Sequence, residues 1–306
     1  MDIPILLITF IRPESTLKIL NILNQNNVKN LFIFNDGARI ETNDSEKVLM
    51  TRSIIDQFKF NGKVYKMYEE NNIGLENNIP KALDWVFKHY DKAIILECDC
   101  IPSDDFFIFC DELLKRYEDD MRISQISGTN FLNYKSFKRR NNDSYFFSKF
   151  TPCWGWATWK NRWFNTYDKN MSNWPIIKKE KWLLDFFNNK EDSSYWENIL
   201  NRRYLKIDND WDRVWTYVNL INNRISICPA KNLVSNIGYD SVAAHQQNPK
   251  KWNSIPLEKI NFPLNHPIVI SADKEVDEFL TKEGFSKPKL LYRIKNYLKK
   301  LKKNFN

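Results

Sequence analysis

The feature that most limits how this chain can fold is an alternation over residues 3–117. Short, continuous apolar runs give way in turn to stretches of helical period. The runs are residues 3–9, Leu31–Phe34, Val64–Tyr68 and Ala93–Leu96. A strand covered on both faces reads as such a run, whereas a half-exposed strand alternates. Between them, Pro13-Glu14-Ser15-Thr16 opens a helix with proline at an early, tolerated position, and Leu17, Leu20 and Leu23 are predicted on its inner face. A polar helix is predicted over 44–59. Another is predicted over 75–90 around Ile79, Leu83, Val86 and Phe87, and a further one follows Ser103, its predicted cap, burying Phe106, Phe107, Phe109, Leu113 and Leu114. This order implies an α/β fold with a doubly wound, mostly parallel sheet flanked by helices. Ligands in such sheets sit beyond the carboxyl ends of the strands, where strand order reverses. Thr9, Arg12, Asn35, Asp36, Glu97 and Asp99, far apart in sequence, are therefore predicted to converge.

Composition removes several alternatives. Only 7 glycines occur among 306 residues, and neither G-x-x-x-x-G-K-[ST] nor G-x-G-x-x-G is present, which argues against P-loop and classical dinucleotide sites. The cysteines, Cys98, Cys100, Cys110, Cys153 and Cys228, are odd in number and form no C-x-x-C pair, so they suggest free thiols rather than zinc or redox work. Neither a leader-like start nor a run of ~18 apolar residues is visible, and a cytoplasmic location is the simplest expectation. The net charge of +8 is concentrated in Lys287–Lys303, which holds eight basic residues and no acid. With that segment set aside the body is near neutral, so no nucleic-acid partner is expected. Within 286–306, Leu290, Leu291, Ile294, Tyr297, Leu298, Leu301 and Phe305 fall at helical spacing opposite the lysines. Such a basic amphipathic tail suits an anionic membrane surface, giving peripheral attachment at the inner face, or packs on its own domain. Residues 145–165 are dense in aromatics, 181–223 read as helical, 225–228 as a strand and 236–255 as an irregular polar loop.

Four groups carry chemistry. Glu97 and Asp99, in Leu96-Glu97-Cys98-Asp99-Cys100, follow a hydrophobic strand and share one side of an extended chain. Such hard oxygen donors suit Mg2+ or Mn2+ bridging a diphosphate, or else they only form a capping turn. Asp36 either accepts from a nucleobase or ribose, with Arg12 complementing phosphate or base, or is an Asp-Gly turn residue. Asp212, between Trp211 and Trp215, suits a general base towards a hydroxyl with indoles stacking on sugar, or a helix N-terminal acid favoured by the dipole. His245 is one of 3 histidines, either solvated on a loop or closing over the cation and tilting preference towards manganese.

In this order the groups resemble the inverting GT-A glycosyltransferases, more narrowly the N-acetylglucosaminyltransferase I type and its bacterial relatives of surface polysaccharide synthesis. The resemblance spans roughly 1–245. Pro4 to Arg12 is similar to that family's first strand and base-binding loop, and Phe34-Asn35-Asp36-Gly37 to its second strand and uracil-reading acid. Asn72-Ile73-Gly74-Leu75 with Lys81-Ala82-Leu83 resembles the segment leading to the metal motif. Glu97-Cys98-Asp99 stands where the family carries Glu-Asp-Asp, and the departure at Cys98, a weak hydrogen-bond partner, puts the ribose or sugar contact in doubt. The resemblance implies Asp99 and His245 as metal ligands, Asp212 as catalytic base, and Thr9, Arg12, Asp36, Gly74, Lys81, Glu97, Cys98 and Trp156 around the donor. It places Trp154, Trp211 and Trp215 at the acceptor. It implies Mn2+ or Mg2+, a nucleotide-sugar donor (UDP favoured through Asp36) and a glycan or lipid-linked oligosaccharide acceptor. The catalytic domain is expected over 1–245 (a nucleotide half, 1–120, and an acceptor half, 121–245), followed by an extension over 246–285 and the tail. Rival readings are a nucleotidyltransferase, disfavoured by Phe10-Ile11-Arg12-Pro13 where a Gly-rich loop should stand, and a non-catalytic glycan-binding protein with a decayed site.

Overall fold

The computed structural model describes residues 1–40, 42–132, 137, 139, 141–164, 166–187, 190–238 and 252–281. The predicted alternation is present as β1 (Ile5–Thr9), α1 (Pro13–Gln25), β2 (Asn30–Asn35), α2 (Ser45–Gln57), β3 (Lys63–Tyr68), α3 (Leu75–Phe87), β4 (Lys92–Glu97), β5 (Cys100–Pro102) and α4 (Asp104–Arg116). The second half adds β6 (Ile123–Ser127), β7 (Tyr145–Ser148), β8 (Trp156–Trp159), α5 (Lys160–Trp163), α6 (Trp174–Glu180), α7 (Leu183–Phe187), α8 (Lys190–Tyr204), α9 (Trp211–Ile221), β9 (Ile225–Pro229), β10 (Val234–Asn236) and α10 (Lys274–Leu280).

One sheet runs β3-β2-β1-β4-β8-β6-β9-β7, and β10 pairs with β5 in a small second sheet. β1 lies parallel to β2 and β4, with Ile5 opposite Leu31 and Ile94. β8 is antiparallel to its neighbours β4 and β6, and β7 closes the edge antiparallel to β9. The fold is thus α/β with a mostly parallel central sheet flanked by helices, consistent with a GT-A-like Rossmann architecture. The chain moves outward from β1 to β3 and then crosses back to β4, which puts the switch point at the carboxyl ends of β1 and β4.

The apolar runs are continuous because both faces are covered. Leu6, Ile8, Phe32, Phe34 and Ile95 pack with α3 and α9 on one side; Ile5, Leu7, Leu31, Ile33, Ile94 and Leu96 pack with α1 and α4 on the other. By the alternation of β4, Glu97 falls on the first of these faces, the one that also carries α9.

Three local expectations change. The inner face of α1 is Thr16, Ile19, Leu20 and Leu23, and Leu17 is 40% exposed, because the stripe follows a period of 3.6 rather than 3. Ser103 stands at the N-cap of α4 but its side chain makes no cap bond, and its buried hydroxyl has no partner among the described residues. Cys98 and Asp99 form a turn between β4 and β5, not an extended continuation of the strand. His245, the tail over 286–306 and most of the loop over 236–255 lie outside the described residues. Among the described residues, no helix is long and apolar enough to cross a membrane.

The edge of the sheet yields a pH dependence. α10 is held to β7 by Asp277, which accepts from Ser148 Oγ at 2.6 Å and from the Lys149 amide at 3.3 Å. Burial pushes its carboxyl from an ordinary 3.8 up to about 6. A raised folded value means the folded chain holds the proton more tightly, so this stabilising contribution is complete below 3.8 and is lost as pH rises through 6. Asp277→Asn should remove that slope. The difference in unfolding free energy between wild type and variant should change by up to about 3 kcal/mol between pH 4 and 7 in urea titrations.

Candidate active site

Three acidic residues lie near one another at the switch point. Glu97 ends β4, Asp99 sits in the following turn, and Asp212 lies in the first turn of α9. Burial, followed by the negative charges of Asp99 and Asp212, pushes the Glu97 carboxyl up to about 8. Only groups close together in a poorly solvated place act on one another in this way. The Cys153 thiol stands beside them, driven well up by burial and then by Asp212 and Glu97. Cys98 is buried, and its thiol is likewise raised by burial and by Asp99, with Arg12 pulling in the other direction.

The segment after β10 closes over this motif. β10 pairs antiparallel with β5, Asn236 opposite Cys100, and the Ile237 amide donates to the Asp99 carbonyl at 2.9 Å. Arg12 Nη2 donates to the Gly238 carbonyl at 3.2 Å. Residues 236–238 therefore pass directly across Asp99 and Arg12. A Cβ at 238 would stand 2.0 Å from Asp99 Oδ2, so any larger residue at this crossing must displace the Asp99 carboxylate. A nucleotide held with a cation at Asp99 would bind Gly238→Ala at least about tenfold more weakly (about 1.4 kcal/mol), with the unfolding temperature barely moved. Unchanged affinity would mean that this crossing does not shape the site.

α9 is positioned by buried polar contacts that sequence patterning does not reveal. Trp215 Nε1 donates to Gln125 Oε1 at 2.6 Å, and Gln125 Nε2 donates to the Pro152 carbonyl at 2.6 Å, tying α9 to β6 and to the Cys153-Trp154 loop. Buried Arg203 pairs with Glu76 in the first turn of α3 at 2.9 Å and donates to the Asp210 carbonyl at 3.1 Å. The residue preceding α9 is thereby fixed relative to α3. Burial works against the charge of Arg213, but the carboxylates of Asp212 and Asp210 outweigh it and hold the guanidinium above its ordinary range. A cation is thus built in beside Asp212. Gln125, Arg203 and Arg213 were missed because nothing local marks them: Gln125 reaches Pro152 and Trp215 and Arg203 reaches Glu76, partners 27 to 127 residues away in the chain, while the acids near Arg213 read as helix-end chemistry.

Other expected site residues are engaged by the protein itself. Thr9 is buried, donating to the Phe34 carbonyl and accepting from Asn35, so it binds β1 to β2 rather than facing a ligand. Asp36 is buried and its carboxylate takes donors from Gly37, Asn72, Ile73, Gly74 and Asn78. Gly74 adopts φ +73° directly before α3, which is why glycine stands there. Lys81 pairs with Glu69 at 2.5 Å on the outside of α3. Trp156 is buried between Trp211, on which it stacks with centroids 5.8 Å apart, and Trp215, tilted against it at 5.9 Å, so these rings pack chiefly on one another. Trp154 alone of the four is only partly buried; it stands edge-on to Phe131 and keeps an accessible part near Cys153.

The donor set fits a hard divalent cation. Asp99, with Glu97 beside it, offers carboxylate oxygen, the ligand type that Mg2+ and Mn2+ prefer. Among the described residues, no three acidic, histidine or cysteine groups meet closely enough to hold a metal by themselves. The protein would supply one or two oxygens, the remainder coming from phosphates and water, as is usual for magnesium sites.

No family model matches the chain, and no curated protein matches it. Among solved structures, a mannosyltransferase from Pyrobaculum calidifontis in complex with GDP-Man and Mn2+ aligns at 12% identity and a TM-score of 0.31, covering 52% of this chain and 45% of its own. A 4-diphosphocytidyl-2C-methyl-D-erythritol synthase from Anaerococcus prevotii aligns at 11% identity and a TM-score of 0.31, covering 52% of this chain and 71% of its own. This chain therefore spans less than half the length of the mannosyltransferase.

Proposed function

We propose that the chain is a metal-dependent, inverting glycosyltransferase that moves a sugar from a nucleotide diphosphate to a glycan or lipid-linked acceptor. The observation that carries this reading is the convergence of Glu97, Asp99 and Asp212 at the switch point, with Arg12 and Arg213 as flanking cations. A doubly wound sheet binds nucleotides at that place, and a carboxylate-rich floor there suits a cation shared with a diphosphate.

Asp99 would hold the cation, with His245 as a further ligand; bound there, the cation would neutralise charge on the departing diphosphate. Arg12 orients the phosphates or base from the β1 side. Asp212 takes the proton of the acceptor hydroxyl, with the Arg213 guanidinium as a neighbouring cation. Attack from the Asp212 side, opposite the leaving diphosphate, inverts the anomeric centre. Glu97 faces the sugar between them, and the accessible part of Trp154 borders the acceptor. The basic tail would bring the enzyme to an anionic membrane surface when the acceptor is lipid-linked.

Calorimetric titration with UDP, GDP and CMP, with and without Mn2+, tests this reading. One nucleotide should bind in a Mn2+-dependent way, and Asp99→Ala should abolish that dependence. Absence of binding to every nucleotide under either metal would remove the transferase reading and favour a glycan-binding protein with a decayed site.

A further inference from the structure

A second concave site lies away from the carboxylates, in the acceptor half. A cavity of about 520 Å3 opens between α6, the turn into α7 and the first two turns of α8. Lys178, Lys179 and Lys181 reach it from one side, and Lys190, Ser193 and Ser194 from the other, with Glu197 the one acid on its wall. Lysines near the end of α6 would suit its carbonyl end, but Lys190 is the first residue of α8, where the positive end of a helix disfavours a cation. Helix chemistry therefore does not account for the cluster. Lys181 also holds a left-handed backbone, φ +61°, at the position ending α6 where glycine or asparagine is the unstrained choice. Lys178 Nζ is held by Asn201 Oδ1 at 2.9 Å, which fixes one ammonium at the wall. Four like charges around one concavity repel one another, and the concave wall focuses their field on whatever enters.

We propose that this cavity binds phosphate groups, either of a soluble phosphorylated ligand or of a lipid headgroup. Ammonium groups supply the charge, and Ser193 and Ser194 supply neutral donors for phosphate oxygens. Pro175 and Leu184 add apolar lining, and Ile176 and Trp182, neighbours in sequence of the lining lysines, are 57% and 49% exposed. Such a mixture suits a phosphate carried by a lipid as well as a free one. The site requires neither the metal nor the transferase reading above.

Inorganic pyrophosphate titrated into the full chain in EDTA is the direct test, because EDTA silences the metal-dependent donor site. Wild type and Asp99→Ala should bind alike, and Lys178→Gln/Lys190→Gln should bind at least about tenfold more weakly with an unchanged melting temperature. Equal binding by the double variant, or loss of binding in Asp99→Ala, would overturn the proposal. Vesicles of phosphatidylglycerol and phosphatidylcholine separate the two sources. Under a headgroup role, brominated phosphatidylglycerol quenches the emission that Trp182→Phe removes, and pyrophosphate relieves the quenching. Under a soluble-ligand role, Trp182 emission is unaffected while the pyrophosphate result stands.

Discussion

Asp212→Asn is expected to lower turnover by about 10²- to 10⁴-fold, the usual contribution of a positioned general base, with nucleotide affinity nearly unchanged. The expectation follows from where Asp212 stands. It is at the first turn of α9, close enough to Glu97 to raise that carboxyl, yet it belongs to a different element from the β4–β5 turn that would hold the cation. Amide replacement keeps size and removes basicity, so the loss should fall on kcat rather than on KM for the donor. The fold should tolerate the change, since Trp211, Val214 and Trp215 hold α9 in the core through their own packing and through Gln125. Progress of sugar transfer under saturating donor, with calorimetric nucleotide binding on the same preparation, measures both quantities. A variant with full turnover would reassign the base, and Glu97 would become the group to replace next.

Legibility in the sequence differed sharply between the halves of the chain. The nucleotide half was readable because its strands are covered on both faces and so form unbroken runs such as Ile5–Thr9, separated by helices of plain amphipathic period. In the second half, β7 and β8 were not separated within the aromatic stretch 145–165, because Tyr145, Phe146, Phe147, Trp156 and Trp159 are all buried and show no clean alternation. The same density misled the reading of the indoles. Trp211 and Trp215 flank an acid, which suggests a sugar platform, yet large aromatic areas are more cheaply buried than exposed, and here they pack on Trp156. The acidic residues were legible as a set because strand ends are legible. The groups that aim them, Gln125 and Arg203, act across distances in sequence that no local pattern encodes.

Asp36→Ala is expected to lower stability by about 3 kcal/mol, since buried donors left without partners cost about 1–3 kcal/mol each and water can serve only some of them. For a domain of this size that corresponds to a melting temperature lower by roughly 6–12 °C. The carboxylate lies at the end of β2 and gathers amides of Gly37, Ile73 and Gly74 together with the side chains of Asn72 and Asn78, bonds of 2.9 to 3.1 Å that join β2 to the start of α3. These donors fill the sites a carboxylate offers, which leaves little capacity for a nucleobase. Asp36→Asn should recover only part of the loss, because its amide nitrogen would face donors on one side. Thermal unfolding and nucleotide titration on the same variants separate the two roles open to this residue. An anchor predicts a large fall in melting temperature, with affinity reduced only through the displaced loop and restored in part by Asn. A base-reading acid predicts an unchanged melting temperature and a loss of affinity confined to one nucleotide. The saturated geometry favours the anchor: Asp36 would then shape the nucleotide site by holding the loop around Gly74 in place.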